Sequence, residues 1–195
     1  MGTMGIRKIT QRLGQGLWLS ARRPWWLLVA LCALISTWTP TASAENLIKQ
    51  PGDHNKYAFE LEPHLYFRYG YYGGGYYNSV GVGPGLRATI PLMHNGPISK
   101  LNNNIAIGFG LDVPFYNGGV AFDVPVVFQW NFYFTKIISV AGEAGLLSSV
   151  WTGNGNTRFN MFPIVQGAGR FQWGRFGVLV RVGYPSLTVG ANIQF

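Results

Sequence analysis

The chain carries a pattern of alternating side chains that repeats along most of its length. In residues 187–195 every odd position is apolar and every even position is polar or glycine. Because successive side chains of a strand point to opposite faces, this segment has one apolar and one polar surface. Segments of this kind occupy 57–71, 80–92, 105–113, 120–131, 138–146, 159–171, 175–183 and 187–195. The sequence therefore predicts an all-β fold of eight antiparallel strands, in which only the phase of 159–171 is ambiguous.

An eight-stranded barrel can be soluble or membrane-embedded, and the two kinds differ in which face lies inside. Soluble lipocalin-like or avidin-like barrels fill their interior with apolar side chains. Here the apolar faces carry rows of Phe, Leu and Ile that are too bulky for such a narrow interior, whereas the opposite faces carry Gly and charged residues. We therefore predict a transmembrane β-barrel, apolar outside and polar inside, in the outer membrane of a Gram-negative cell.

The first 44 residues read as a cleavable signal peptide. A basic lead precedes an apolar run at 25–38, which is shorter than the ~20 residues of a membrane-spanning helix, and Ala42-Ser43-Ala44 forms a small-residue cleavage site. Met4 is an alternative start to Met1. The predicted organisation is thus a signal peptide at 1–44, a polar periplasmic lead-in at 45–55 and a barrel at 56–195.

Removing the signal peptide changes what the charge implies. Ten of the 15 Lys and Arg and all seven Asp and Glu follow residue 44, so the net charge falls from +8 to +3. This small excess gives no reason to expect nucleic-acid binding. The single cysteine, Cys32, also lies in the leader, so the exported chain has no cysteine to form a disulfide.

Aromatic residues are expected in two belts, one at each rim of the barrel. With the amino terminus in the periplasm, the lower belt comprises Tyr57, Phe59, Trp130, Phe132, Tyr133, Phe134, Phe171, Trp173 and Phe195. The upper belt comprises Tyr69, Tyr71, Tyr72, Tyr76, Tyr77, Phe115, Tyr116, Trp151 and Tyr184. The turn at 93–103 is long for the periplasmic side, and the longest outer loop is predicted at 148–158.

The last strand also resembles the carboxy-terminal assembly signal of bacterial outer-membrane barrels. A polar residue, a glycine two places later and two hydrophobic residues fill its positions, namely Thr188, Gly190, Ile193 and Phe195. Together with the eight strands, this motif makes 56–195 resemble the small barrels of the OmpA and OmpX kind. The resemblance implies insertion by the barrel-assembly machinery. Its members have unlike roles, including passive structural barrels, adhesion and resistance proteins, and lipid A-modifying enzymes, so the fold alone does not select a function.

Ten ionisable side chains are predicted to face the interior as a polar network. They are Glu60, Glu62, His64, Arg68, Arg87, Asp112, Asp123, Glu143, Arg170 and Arg181. Unpaired charges in a tight lumen cost several kcal/mol each, in order of magnitude, so internal salt bridges are favoured over an open path. A narrow, porin-like passive channel remains the alternative.

The positions of the histidines decide the prediction about catalysis. Lipid A deacylase barrels of this size use a His and a Ser two places apart on one strand face, where the imidazole activates the hydroxyl. The chain has three His, at 54, 64 and 94, and none is followed by Ser two residues later. Only His64 lies in a predicted strand, beside Glu62. The series Gly81, Gly83 and Gly85 follows the strand period and precedes no helix, so it is not a phosphate loop. We predict no enzyme activity, metal or cofactor.

Two hairpin registers follow from the turn signals. A turn centred on Gly74-Gly75 sets Glu62 opposite Arg87, and one centred a residue earlier sets Glu60 there instead. Asn117-Gly118 predicts a two-residue type I′ turn, because both residues tolerate positive φ.

The Asn117-Gly118 turn also sets Asp112 opposite Asp123 inside the barrel, where the two carboxylates repel. A neighbouring Arg is the expected solution, with Arg68, Arg170 and Arg181 as candidates. A bound cation or a shared proton is the alternative.

The sequence as a whole predicts a monomeric outer-membrane barrel with a structural or surface-interaction role. Its expected partners are outer-membrane lipid, lipopolysaccharide and the barrel-assembly machinery. A narrow channel is the second hypothesis and a lipid A-modifying enzyme the third.

Overall fold

The computed structural model describes residues 46–69 and 80–195. The strands are β1 (Glu60–Arg68), β2 (Gly81–Met93), β3 (Asn103–Asp112), β4 (Phe115–Tyr116), β5 (Gly119–Tyr133), β6 (Ile138–Gly153), β7 (Asn156–Trp173), β8 (Phe176–Tyr184) and β9 (Ser186–Gln194). The predicted signal peptide and the glycine turn at 73–75, with Tyr71, Tyr72, Tyr76 and Tyr77, lie outside the described residues. No apolar helix of membrane-spanning length occurs in the described part of the chain.

The strands form one closed antiparallel sheet. Each pairs with its neighbours along the chain, and β9 pairs with β1 to complete the circle. The short β4 continues β3 after an interruption at Val113-Pro114. The two segments together form the third strand of an eight-stranded barrel. Pro114 has no backbone N–H to give to a ladder, which explains the break. The predicted fold class is confirmed.

Apolar side chains cover the outside of this barrel. Large exposed residues alternate with buried ones on every long strand, as in Val82, Leu86 and Ile90 of β2. In β7 the even-numbered residues, including Gln166 and Arg170, face inward, which fixes the phase that the sequence leaves open. An apolar outer surface around a polar interior is typical of a membrane-spanning barrel.

The barrel has two ends, which we name by the segments they carry. The base holds both chain termini of the barrel and the connections 94–102, 134–137 and 174–175. The mouth holds the connections at 113–118, 154–155 and 185. With the amino terminus in the periplasm, the base is the periplasmic end and the mouth the outer end.

The hairpin of β6 and β7 is longer than the sequence suggests. These strands have 16 and 18 residues, whereas β1, β8 and β9 have nine each. Asn154 and Gly155 have φ angles of +49° and +74°, so they form the two-residue turn that this dipeptide favours. The predicted outer loop at 148–158 is therefore wrong, because its residues extend the ladder to the pair Gly153 and Asn156.

The turn at Asn117-Gly118 has the predicted register but not the predicted conformation. Tyr116 pairs with Gly119, and Asp112 faces Asp123. Gly118 has a φ of +94°, but Asn117 is not among the described residues with positive φ, so the turn is not type I′. Positive φ at the second central residue alone suffices to reverse the chain.

Four aromatic residues of the predicted belts face inward instead. Tyr57 and Tyr133 are buried at the base. At the mouth, the Tyr116 ring occupies the space in front of Gly81, and Trp151 packs over Gly119. The remaining described belt residues include Phe59, Phe134, Phe171, Trp173 and Phe195 at the base and Tyr69, Phe115 and Tyr184 at the mouth, all exposed.

The lead-in is not a free polar segment, because it folds against the base. Leu47 is fully buried and its N–H donates to the Phe134 carbonyl over 2.8 Å. The Asn102 N–H donates to the Ile48 carbonyl, also over 2.8 Å, which ties the lead-in to the long connection 94–102. The sequence treats these two stretches as separate loops, but they cover the base together.

Candidate functional site

The inward side chains of β1 form a column of polar groups along the barrel axis. Its members are Glu60, Glu62, His64, Tyr66 and Arg68, and all are buried. Each occupies a successive level, since alternate residues of a strand share a face. Contacts from this column reach β3, β5, β6, β7, β8 and β9, so it organises the interior into three layers.

The layer at the base is centred on Glu60. Arg170 donates from Nη2 to Glu60 Oε1 over 2.7 Å. Asn192 and Gln194 donate to the other carboxylate oxygen over 3.1 and 2.9 Å. Two of the polar positions of the last strand thus serve to hold one buried carboxylate, and a charge-assisted pair with two neutral donors satisfies it.

The middle layer is a chain of two cations and two anions. Arg181 donates from Nε to Glu143 Oε1 over 2.6 Å and from Nη2 to Glu62 Oε2 over 2.5 Å. Arg87 donates to the other oxygen of Glu143 over 2.8 Å. Glu62 and Arg87 face each other in the backbone register, as predicted, but the expected contact between them is replaced by contacts across the lumen. Arg181 reaches Glu62 from the other side, which leaves Arg87 to bind Glu143.

The layer nearest the mouth supplies a separate partner for each of the two facing aspartates. Asp112 and Asp123 face each other in the register. Arg68 forms an ion pair with Asp123, and the Tyr66 hydroxyl donates to the same carboxylate over 3.2 Å. Of the three candidate arginines, Arg68 is therefore the cation here, while Arg170 and Arg181 lie in the layers below. Asp112 is met by His64 Nε2 at 2.8 Å, a partner that the sequence does not predict.

Both ring nitrogens of His64 have a partner. Its Nδ1 lies 3.1 Å from the Glu62 carbonyl oxygen and its Nε2 lies 2.8 Å from Asp112 Oδ1. The five carboxylates of the lumen thus face four arginines and His64, and each of these ten side chains has its partner within this set. An imidazole with both nitrogens engaged is not free to take a proton from a nucleophile.

Two glycines make room for the His64 ring. Gly85 of β2 and Gly190 of β9 are its cross-strand neighbours. A Cβ on Gly190 would lie 2.6 Å from His64 Cβ and 2.7 Å from the Pro63 carbonyl oxygen. Gly190, which the sequence assigns to the assembly signal, thus also has a packing role.

We expect Gly190→Ala to lower the free energy of unfolding by about 1–3 kcal/mol, because backbone and a stiff Cβ must shift. Gly169→Ala is the matched control, since nothing lies within 4 Å of the new Cβ. Urea unfolding of both variants in lipid vesicles measures the difference. An alanine at 190 that unfolds at the wild-type midpoint would contradict the packing role.

An apolar cluster interrupts the polar interior on one wall. Val127, Leu147 and Ile164 are buried together on β5, β6 and β7, with Phe162 packed against them. The guanidinium of Arg68 lies 4.7 Å from the Phe162 ring centroid. These inward residues do not stand out in the sequence, because both faces of β6 and β7 are apolar at this level, and only their odd or even position along the strand indicates that they face inward.

The base is closed by His54, whose ring stacks on a tyrosine. The His54 ring lies parallel to the Tyr133 ring at a centroid distance of 4.2 Å. His54 Nδ1 is 2.6 Å from Asn102 Oδ1. Beside it remains a cavity of about 10 Å³, bordered by Ser139, Arg170 and Gln194. This is about the space that one water needs.

Acid should loosen this closure. Burial lowers the pKa of His54 below its ordinary 6.5, against an opposing effect of the Asn102 hydrogen bond, and Lys56 and His94 act in the same direction as burial while Asp53 opposes it. A lowered pKa means that the detached segment binds the proton more readily. The stabilisation is therefore complete above pH 6.5 and is lost as the pH falls through the pKa of the folded state.

We expect amide exchange in 46–59, corrected for intrinsic rates, to be faster at pH 5 than at pH 7.5. His54→Phe keeps an aromatic ring on Tyr133 and does not titrate, so the pH effect should disappear in that variant. Equal protection of the wild type at both values would contradict this role of His54.

Within the described ranges no group of three or more His, Cys, Asp and Glu side chains is arranged to hold a metal ion. The assembly-signal residues lie in β9 or follow it directly. Thr188 is fully buried and Phe195 is exposed at the base, where its ring stacks on Phe59 at 4.6 Å. Their recognition by an assembly machinery stays a prediction.

No family model and no curated protein sequence matches the chain. Among solved structures, it is similar to Ail, the attachment invasion locus protein of Yersinia pestis, in complex with the heparin analogue sucrose octasulfate. That match has a TM-score of 0.51 and 12% identity and covers 70% of this chain and 97% of the Ail chain. Ail without the analogue gives 0.48 at 12% identity, covering 72% and 100%. Ail in a phospholipid bilayer nanodisc gives 0.43 at 14% identity, covering 71% and 99%. At 12% identity the first of these matches shows the fold alone, which is that of a bacterial outer-membrane β-barrel.

Proposed function

We propose that the chain is a non-conducting outer-membrane barrel with a structural or surface-interaction role. The pairing of the interior side chains with one another is the observation that carries this proposal. Five carboxylates, four arginines and His64 occupy the lumen, and moving an ion through it would require several of these pairs to break. The covered base supports the same conclusion. A narrow channel is therefore disfavoured.

In the described part of the chain, His64 and His54 do not form a site for the lipid A-modifying alternative. The interior histidine uses both nitrogens to hold Glu62 and Asp112, and His54 donates to Asn102 beneath Tyr133. Neither arrangement leaves an imidazole beside a free hydroxyl at the membrane surface, as nucleophilic catalysis needs. The geometry supports a barrel without enzyme activity.

The β6–β7 hairpin is the element best suited to a surface interaction. Its residues Trp151, Arg158 and Asn160 lie on the continuation of the inward faces, above the filled lumen. An aromatic ring beside polar side chains on a rigid hairpin offers a small contact surface without the disorder cost of a long loop. Ail was crystallised with a heparin analogue. Here Arg158 is the one cation near the described mouth, and 70–79 contains no Lys or Arg, so we expect weak affinity for polyanionic glycans.

We propose further that the barrel is a monomer, contacts membrane lipid and lipopolysaccharide through its apolar wall, and inserts through the last strand. The exposed apolar wall and the sequence of β9 support these partners. Residues 1–44 act as the cleaved signal peptide in this proposal.

Planar-bilayer recording tests the closed lumen. The reconstituted barrel should give no discrete conductance steps, both in the wild type and after deletion of 46–56, because the interior layers remain when the base is uncovered. Reproducible steps from the wild type would refute the closed lumen and favour the channel.

Surface labelling tests the orientation. Because the chain has no cysteine after Cys32, a single introduced thiol is unambiguous. A membrane-impermeant maleimide should label Asn156→Cys at the mouth on intact cells and should not label Lys136→Cys at the base. The reverse pattern would overturn the surface role.

A further inference from the structure

Exposed charge is distributed unequally between the two ends of the barrel. Of the Lys and Arg outside the lumen, five lie at the base, and we name them the cationic collar: Lys49, Lys56, Lys100, Lys136 and Arg175, all exposed. The mouth carries Arg158 alone among the described residues. Asp53 is the one exposed carboxylate in the described ranges, since the other carboxylates there belong to the lumen. The positive net charge of the mature chain therefore resides at its base.

The collar cations are not used by the fold. The ion pairs of the described residues all lie in the lumen, and none includes a collar residue. The charged side chains of the lumen have their partners among themselves, so no collar residue is the partner of a buried charge. Five like charges at one end of a small domain repel one another, and an external anion relieves this repulsion.

Two of the collar residues follow exposed aromatic residues closely in the sequence. Lys136 follows the exposed Phe134 by two residues, and Arg175 follows the exposed Trp173 by two. Such aromatic rings mark the interface between hydrocarbon and headgroups. A long cationic side chain just beyond them extends into the headgroup layer.

The backbone holds the collar in place. The Gln194 N–H donates to the Arg175 carbonyl over 2.8 Å, which fixes that turn to the last strand. The Leu47 N–H donates to the Phe134 carbonyl, which brings the lead-in with Lys49 beside the turn that carries Lys136. The cations therefore surround the base on ordered elements, and little further ordering is needed for binding.

We propose that the cationic collar binds anionic phospholipid headgroups of the leaflet at the base. Charge complementarity selects a net-negative phosphodiester over a zwitterionic headgroup, because the latter presents its own ammonium to the collar. A carboxylate-bearing cell-wall polymer is another polyanion, but it would not account for cations placed directly beyond the interfacial aromatics. The inference rests on the membrane insertion proposed above and adds a lipid specificity to it.

Lipid recruitment into nanodiscs tests the collar. The full mature barrel is reconstituted with equal amounts of phosphatidylglycerol and phosphatidylcholine in excess, and the lipids retained with the protein are counted by mass spectrometry. We expect enrichment of phosphatidylglycerol that 0.5 M NaCl abolishes. The double variant that carries Lys136→Gln and Arg175→Gln should bind phosphatidylglycerol more weakly than the wild type. We expect its affinity to fall by about fivefold per cation removed. Arg158→Gln at the mouth is the matched control and should leave the enrichment unchanged.

Heat-modified migration of each variant separates the two proposals. If the wild type is not folded in the bilayer, the membrane insertion on which the inference rests is refuted. If all variants are inserted but the wild type shows no enrichment, or the double variant equals it, the collar proposal is refuted and the barrel assignment stands. An equal loss in Arg158→Gln would also refute it, as would binding to isolated cell-wall polymer without any phosphatidylglycerol preference.

Discussion

Replacing Arg181 with methionine is expected to lower the free energy of unfolding by about 3–5 kcal/mol. Arg181 is fully buried and serves two carboxylates, Glu62 on β1 and Glu143 on β6. Its removal leaves Glu62 without an arginine in a low-dielectric interior, with only the His64 ring 3.5 Å away, and breaks the link between three strands. Equilibrium urea unfolding in lipid vesicles, followed by tryptophan fluorescence, measures the loss.

A second substitution separates the stranded charge from the lost packing. Glu62→Gln with Arg181→Met removes the anion as well as the cation, and Glu143 keeps Arg87 as its partner. This double variant should be more stable than Arg181→Met alone, because a neutral amide is cheaper to bury than an unpaired carboxylate. Arg158→Met, an exposed position, should change stability by less than ~0.5 kcal/mol. A single variant as stable as the double variant would contradict the ion-pair account.

Deleting Phe195 is expected to reduce the amount of folded barrel in the outer membrane several-fold. The Phe195 carbonyl accepts from the Ala58 N–H over 2.6 Å, and its N–H donates to the Phe59 carbonyl over 2.9 Å. The deletion therefore removes hydrogen bonds at the seam between β9 and β1 as well as the last apolar residue of the assembly pattern. The folded, heat-modifiable fraction in isolated membranes measures the effect.

Phe59→Ala distinguishes the two causes. It abolishes the stack on Phe195 and keeps both the seam hydrogen bonds and the terminal aromatic residue. If the terminal residue acts as a signal, this variant should assemble nearly as well as the wild type while Phe195 deletion fails. Normal membrane levels of the deletion variant would contradict the predicted assembly role.

The barrel could be predicted from sequence because its determinants are local. Alternation over 187–195 gives the two faces of β9 directly, and the strict period of two carries over to each long strand. The turn position at Asn117-Gly118 gives the register that brings Asp112 opposite Asp123, and the glycine turn narrows the partner of Arg87 to Glu62 or Glu60, of which the structure has Glu62. These inferences need only neighbouring strands.

The partners of the charges could not be predicted in the same way, because they are chosen across the lumen. Arg181 and Glu62 are 119 residues apart and lie on strands that do not pair with each other. Which charged side chain reaches across the lumen, and at which level along the barrel axis, depends on the stagger of the closed sheet and on side-chain length. The folding of the lead-in over the base could not be predicted from sequence for a similar reason. Leu47 and His54 carry no periodic signal, and their burial depends on Asn102 and Tyr133 from distant loops.

Fractionation of cells that express the chain tests the central claim most directly, namely that an apolar wall surrounds a polar lumen and places the barrel in the outer membrane. We expect the mature chain in the outer-membrane fraction, extractable only with detergent, with a β-sheet circular dichroism spectrum and a gel mobility that changes on boiling. Recovery of the mature chain as a folded monomer in buffer without detergent would contradict the account.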